Sequence, residues 1–287
     1  MKKRIFNISI ALVAILVLYG AMTSNRAKGF IWEASKNGKT IYLVGTLHPG
    51  KSNVNYNNRI LNKLMNKTDA LAVEIDVTNE NNIKKLDKDE KEKMYLKDGE
   101  IKDVLSNKEK IKFEKILKEL DLNYDDIKNL TPTGFLSCIN TMIANEAKME
   151  PLGIEGFMIN KYKAKNKVIT ELENNEIQEE VLTFDEDHLK DFVNTFESKE
   201  DFFKEETDHF NNIVKYYIKG DESYFLDTIE ISETQSNKER NIKMADKIDK
   251  LARGNKKYLA SAGVYHFFGK YSILENLKDK GYRIDKL

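Results

Sequence analysis

Two segments that stand at opposite ends of the 287-residue chain finish in the same way. TIYLVGTLH closes at His48 and KYLASAGVYH closes at His266, and each is an apolar run that ends in Gly-x-x-His. With four histidines and 14 glycines in the whole chain, two copies in the same context are not a chance expectation. A glycine at a strand end lets the backbone turn sharply or lets another group approach it, and the histidine three residues on can then reach over the sheet edge. Ligands of open α/β sheets sit outside the carboxyl ends of strands. Gly45 with His48, and Gly263 with His266, are therefore read as two halves of one site, carried by strands that are neighbours in space although more than 200 residues apart.

Carboxylates stand in the same pattern. ALAVEID ends with Glu74 and Asp76, and KVITELE ends with Glu171 and Glu173, each pair sharing one strand face if the alternation persists. An acid that follows an apolar run is costly to bury without a partner, so a metal, an arginine or a histidine is expected beside it. The solvated alternative is stronger for Asp76 and Glu171 than for Glu74 and Glu173. Two imidazoles and a carboxylate suit a divalent ion, with zinc, manganese, cobalt and iron all compatible. Such an ion polarises a carbonyl and acidifies water, while a spare carboxylate moves the proton.

ERNIKMADKI reads as a helix with Ile242, Ala245 and Ile248 facing inward, which places Arg240 and Asn241 near its amino end. The chain has only six arginines among its 47 basic residues, so arginine is the minority choice for a solvated surface. Arg240 is the candidate to balance the acids or to bind a developing oxyanion. His188 and His209 lie among apolar neighbours at helical spacing and are read as packing or surface residues.

The opening MKKRIFNISIALVAILVLYGAM puts three basic residues before a mostly apolar stretch at 5–22. Residues 1–28 are therefore read as a signal peptide or an uncleaved signal anchor. The basic residues stay inside, which puts the rest of the chain at the outer face of the cell membrane, or secretes it if the segment is cleaved. Those 28 residues hold five basic and no acidic side chains, leaving 42 basic against 47 acidic in the remaining 259. That balance argues against a nucleic-acid partner. The single cysteine, Cys138, excludes an intramolecular disulfide framework and Cys-rich metal sites.

The exported part alternates strands and helices. Apolar runs at 30–34 and 40–45 flank Asn37-Gly38, a hairpin signal. A helix at 57–67 with Ile60, Leu61, Leu64 and Met65 on one face leads to a strand at 70–75. A charged helical insertion near 78–130 carries Ile111, Ile116, Leu117 and Leu120 as its buried stripe. TPTGFLSCINTMIANEAKM starts a helix at its proline and is expected to pack under the sheet. Residues 177–218 read as at least two helices. The pattern predicts one α/β or α+β domain over 29–287, with a central mixed sheet and flanking helices.

FIWEASKNGKTIYLVGTLHPG through ALAVEID, the central LGIEGFMINKYKAKNKVITELE, the ERNxxMA helix and the closing YLASAGVYHFFGKYSILENLKDKGYRIDKL together resemble the TraB/PrgY/GumN family, which includes the Tiki-type membrane proteases. The resemblance implies an architecture similar to erythromycin esterase-like and haem-uptake proteins. It carries the family's two Gly-x-x-His motifs onto Gly45, His48, Gly263 and His266. Its acidic residues fall on Glu74 and Glu173, and its arginine-asparagine pair on Arg240 and Asn241. In the implied assignment His48, His266 and Glu74 hold a divalent metal (manganese, cobalt or zinc), with Glu74 either ligand or base, and Glu173, Arg240 and Asn241 join it as catalytic residues. One departure stands out: Phe267 and Phe268 precede Gly269 where the family commonly has a smaller residue and a turn. The function implied is an exported metal-dependent hydrolase, a peptidase acting on a peptide or protein substrate. The competing reading is a peptide-binding or pheromone-sequestering membrane protein without turnover.

Overall fold

The computed structural model describes residues 26–287 apart from 77, 81, 83–92, 151, 174–182 and 232. The apolar segment at 5–22 and part of the charged insertion lie outside the described residues. Among the described residues no helix is long and apolar enough to cross a membrane.

The strands are β1 (Phe30–Lys36), β2 (Lys39–Thr46), β3 (Gly50–Lys51), β4 (Ala70–Val73), β5 (Met149–Glu150), β6 (Val168–Glu171), β7 (Tyr258–Gly263) and β8 (Arg283–Lys286). The helices are α1 (Arg59–Lys67), α2 (Asn107–Glu119), α3 (Tyr124–Ile127), α4 (Pro132–Glu146), α5 (Gly153–Lys163), α6 (Glu186–Thr195), α7 (Lys199–Lys219), α8 (Ser223–Asp227), α9 (Gln235–Arg253) and α10 (Ile273–Asp279). One mixed sheet has the order β6-β4-β7-β2-β1-β8. Its four strands β6, β4, β7 and β2 are parallel, β1 pairs antiparallel with β2, and β8 closes the far edge antiparallel to β1. The β1–β2 hairpin turns on Asn37 and Gly38, both with positive φ (50° and 73°), which is the twist a two-residue hairpin loop requires.

The central strands are buried on both faces, so they are apolar throughout rather than alternating. Leu43, Val44, Leu71, Ala72, Leu259 and Ala260 have no exposed surface. Helix starts follow local chemistry: Asn58, Thr131, Thr234 and Ser272 each cap a helix by accepting from a backbone N–H two or three residues into it.

A second core is wholly helical, with Phe113, Ile116, Phe135, Ile139, Leu189 and Val193 at its centre. This corrects two expectations. Helix α4 packs into that core through Phe135, Leu136, Ile139 and Ile143 instead of under the sheet. Ile111 is 61% exposed, because the inward stripe of α2 runs through Phe113, Ile116 and Leu117. Ile60 and Ile242 are likewise at the solvent edge of their helices. The 21-residue helix α7 joins the two cores. Its Phe202, Phe203 and Phe210 pack on the helical core, and its Ile213, Val214 and Tyr217 enter the sheet core.

Candidate active site

All four parallel strands deliver their carboxyl ends to one edge of the sheet, and each carries a polar residue there. Register makes the juxtaposition close: Gly45 pairs with Ala262 and Thr46 with Gly263, so the two Gly-x-x-His motifs leave adjacent strands side by side. On the other flank of β7 lies β4, which ends at Val73 and passes into Glu74. Next comes β6, whose continuation bonds Leu172 N–H to Val73 O and Glu173 N–H to Glu74 O, at 2.7 and 2.9 Å.

At this edge an ideal Cβ added to Gly263 would meet Glu74 Oε1 at 3.3 Å, His266 Cδ2 at 3.5 Å and His48 Cε1 at 3.8 Å. Gly263 thus marks the point where the three side chains converge, and any larger residue there would intrude among them. Gly45 has a packing role, since a Cβ on it would lie 3.1 Å from Val264 Cγ2.

His266 sits on a 3-10 turn, Val264–Phe267, that follows β7. Asn241 Nδ2 donates to Tyr271 O at 2.9 Å, which turns Asn241 Oδ1 toward His266 Nδ1 at 2.6 Å. The ring therefore carries its proton on Nδ1 and points the Nε2 lone pair toward Glu74 Oε1, 3.8 Å away. Glu74 Oε1 accepts from the Gly263 amide, and Oε2 from Arg240 Nη2 at 3.5 Å. Arg240 grips Glu173 with two parallel bonds, Nε and Nη2 each at 2.8 Å, while Nη1 donates to Asn237 Oδ1 at 3.0 Å. All of the guanidinium nitrogens are thus engaged with protein acceptors. This favours the charge-balancing role expected of Arg240 over the oxyanion-binding one.

One residue of the cluster was not among the candidates read from the sequence. Glu155, in the first turn of α5, is buried and lies across from His48, with Oε2 3.8 Å from His48 Nδ1 and Oε1 accepting from Ser261 Oγ at 3.3 Å. Its signal is a lone acid inside the apolar string LGIEGFM. Gly153 brings the α5 start against the His48 loop: its φ is +45°, and a Cβ there would fall 1.9 Å from Leu47 O. Ile154 N–H donates to that same carbonyl at 3.3 Å. A side chain at 153 would push away the loop that presents His48.

Burial raises the pKa of Glu74, but the neighbouring His266 and His48 rings, the Gly263 amide and the Arg240 guanidinium outweigh it and hold the carboxyl near 2. Burial also pushes His266 below its usual value, which leaves it neutral at pH 7. For Glu155 burial dominates and the Glu74 charge adds to it, against the opposing pull of His48, so its pKa rises to about 7. Two buried carboxylates, Glu74 and Glu173, thus share one guanidinium, and Glu155 lies buried nearby against His48.

The profile of the TraB/PrgY/gumN family matches residues 30–286. The chain belongs to that family. No curated protein and no solved structure matches it. Within this TraB/PrgY/gumN chain, His48, Glu74, His266, Glu173, Arg240 and Asn241 are gathered at a single sheet edge, together with Gly45 and Gly263. Asp76 and Glu171 are not part of the cluster: Asp76 accepts from Thr78 and faces Lys163 Nζ at 3.3 Å, and Glu171 Oε1 accepts from the Asp76 amide at 2.9 Å. His188 closes an exposed capping box with Asp185, and His209 bonds Tyr224 Oη at 2.8 Å.

Among the described residues no group of three His, Cys, Asp or Glu side chains is arranged to hold a metal ion as it stands. The donor chemistry nevertheless fits a divalent cation. His266 is neutral with a lone pair aimed inward, Glu74 is ionised, and the surplus of buried acid over guanidinium is the electrostatic setting a divalent ion relieves. The His266–Glu74 gap of 3.8 Å is near the roughly 3.3 Å that separates two ligand atoms at a tetrahedral zinc with bonds of ~2.0–2.1 Å.

Proposed function

We propose that the protein is an exported hydrolase that cleaves peptides with a divalent metal held by His48, His266 and Glu74. The observation that carries this reading is the convergence of two imidazoles and a carboxylate on Gly263, beside a second buried carboxylate that titrates near neutrality. A manganese, cobalt or zinc ion, when bound, would polarise the peptide carbonyl and acidify a water molecule.

The chain's own residues divide the remaining work. Asn241 fixes the His266 tautomer, as the outer partner of a metal-ligating histidine does. Glu74, wrapped by the Gly263 amide and Arg240, is suited to bring negative charge to the ion. Glu155, with its raised pKa and its place opposite His48, is suited to take a proton from the attacking water and return one to the departing amine. Glu173 and Arg240 position Glu74. A binding protein without turnover would not need a proton-carrying acid beside the metal donors.

The test is metal content and peptide hydrolysis of the purified domain. Wild type is expected to retain a divalent ion and to cleave members of a peptide library, with both properties lost in His48→Ala and His266→Ala and on chelation. Unchanged cleavage in both histidine variants would reject the mechanism.

Export rests on the basic-then-apolar opening of the sequence. A reporter enzyme fused after residue 40 is expected to be active outside the cytoplasm, and activity confined to the interior would reject the assignment.

A further inference from the structure

Beside His266 a cavity of about 250 Å³ opens between the amino end of α9 and the loop at 264–271. Arg240, Asn241 and His266 form part of its wall, so it is continuous with the candidate active site. The polar groups of the wall are largely engaged within the protein. Arg240 and Asn241 hold Glu173 and His266 as described, Thr234 Oγ1 accepts from the Asn237 amide at 3.1 Å, and Glu233 Oε1 accepts from the Lys270 amide at 3.1 Å. The Lys238 ammonium lies over the Tyr271 ring, 4.4 Å from its centroid.

What the cavity offers a visitor is aromatic surface. Tyr265, Phe268 and Tyr271 line it. Tyr265 is anchored by its hydroxyl to Thr228 Oγ1 at 2.8 Å. Phe268 is fixed edge-on to Phe30 at 5.1 Å and stacked on Phe225 at 5.5 Å. Three aromatic rings gathered in a cavity otherwise lined by polar groups engaged within the protein select a visitor by shape and buried area. The volume suits one side chain: an apolar cavity of ~150 Å³ already holds benzene, and whole-ligand pockets begin near ~300 Å³.

We propose that this cavity is a specificity subsite that takes one apolar side chain, aromatic or branched aliphatic, of the substrate residue next to the cleaved bond. The inference rests on the peptidase reading for the word substrate, but the pocket can be tested without turnover. The probes are N-acetyl-phenylalanine amide, N-acetyl-glycine amide and N-acetyl-aspartate amide, titrated into the folded protein and followed by backbone amide NMR. The phenylalanine probe is expected to shift the signals of residues 265–271 and to bind at least about tenfold more tightly than the glycine probe, within the roughly 10–200-fold range of hydrophobic pockets. Tyr271→Ala should abolish that preference. Tyr271→Trp, which narrows the pocket while keeping an aromatic ring, should weaken the phenylalanine probe and serves if the alanine variant does not fold.

Equal binding of all three probes, tighter binding of the aspartate probe, or a preference untouched by either Tyr271 variant would overturn the proposal. The two readings fail separately. An intact binding preference with no cleavage of any peptide would remove the peptidase and leave the pocket, whereas cleavage without the preference would do the reverse.

Discussion

Arg240→Ala is expected to lower the stability of the protein by about 3–5 kcal/mol, the usual effect of removing one partner from a buried ion pair. Glu173 and Glu74 have side chains that are 1% and 5% exposed, and both depend on this guanidinium. Its loss would remove the guanidinium from two carboxylates held in a low-dielectric setting. A loss of that size is a large part of the ~5–15 kcal/mol that holds a typical domain together. Arg240→Lys should restore little, because an ammonium cannot reproduce the paired 2.8 Å bonds to Glu173. Urea denaturation checks this, and a midpoint equal to wild type in Arg240→Ala would show that the pair does not stabilise the fold.

Glu155→Gln and Glu74→Gln are expected to fail in different ways. If Glu155 carries the proton, its amide variant should keep the metal and lose about 10²–10⁴-fold in turnover, the range of general acid–base effects. If Glu74 is a ligand, its amide variant should lose metal affinity, because the amide brings no negative charge to the ion. The sequence alone left Glu74 open between ligand and base. The two N–H groups that already address its oxygens stabilise the charged form, which favours a ligand over a base. Metal content and peptide hydrolysis measured on both variants decide the assignment, and the reverse pattern would exchange the two roles.

The strand ends were legible because a strand buried on both faces is apolar until it leaves the sheet, so His48, Glu74 and His266 stood out at the ends of β2, β4 and β7, whereas Glu173 follows the partly exposed edge strand β6, whose own Glu171 precedes it. Arg240 and Asn241 were legible from the inward face of their helix and the scarcity of arginine. Glu155 was harder to see: it follows no strand, and its sense depends on Gly153 letting a helix start approach the His48 loop. The helical core was also hidden. A hydrophobic stripe on α4 says that the helix is covered and does not say by what, and the choice between sheet and helices is made by partners far along the chain. Ile60, Ile111 and Ile242 show the same limit at the scale of one helix, since periodicity leaves the margin of a stripe undecided.

The pairing of β2 with β7 has a consequence for the order of events during synthesis. It joins residues more than 200 positions apart, so the two histidines cannot meet until almost the whole chain is available, and forming that contact requires closing a long loop. Early segments such as the β1–β2 hairpin can form from local sequence, but the reaction centre is a late product of folding. A fragment truncated before β7 would lack His266, the Gly263 amide and the Arg240 turn of α9 if it ended before residue 240. Under the function proposed above, an edge that only the finished chain can complete would leave any shorter, nascent polypeptide without the paired histidines.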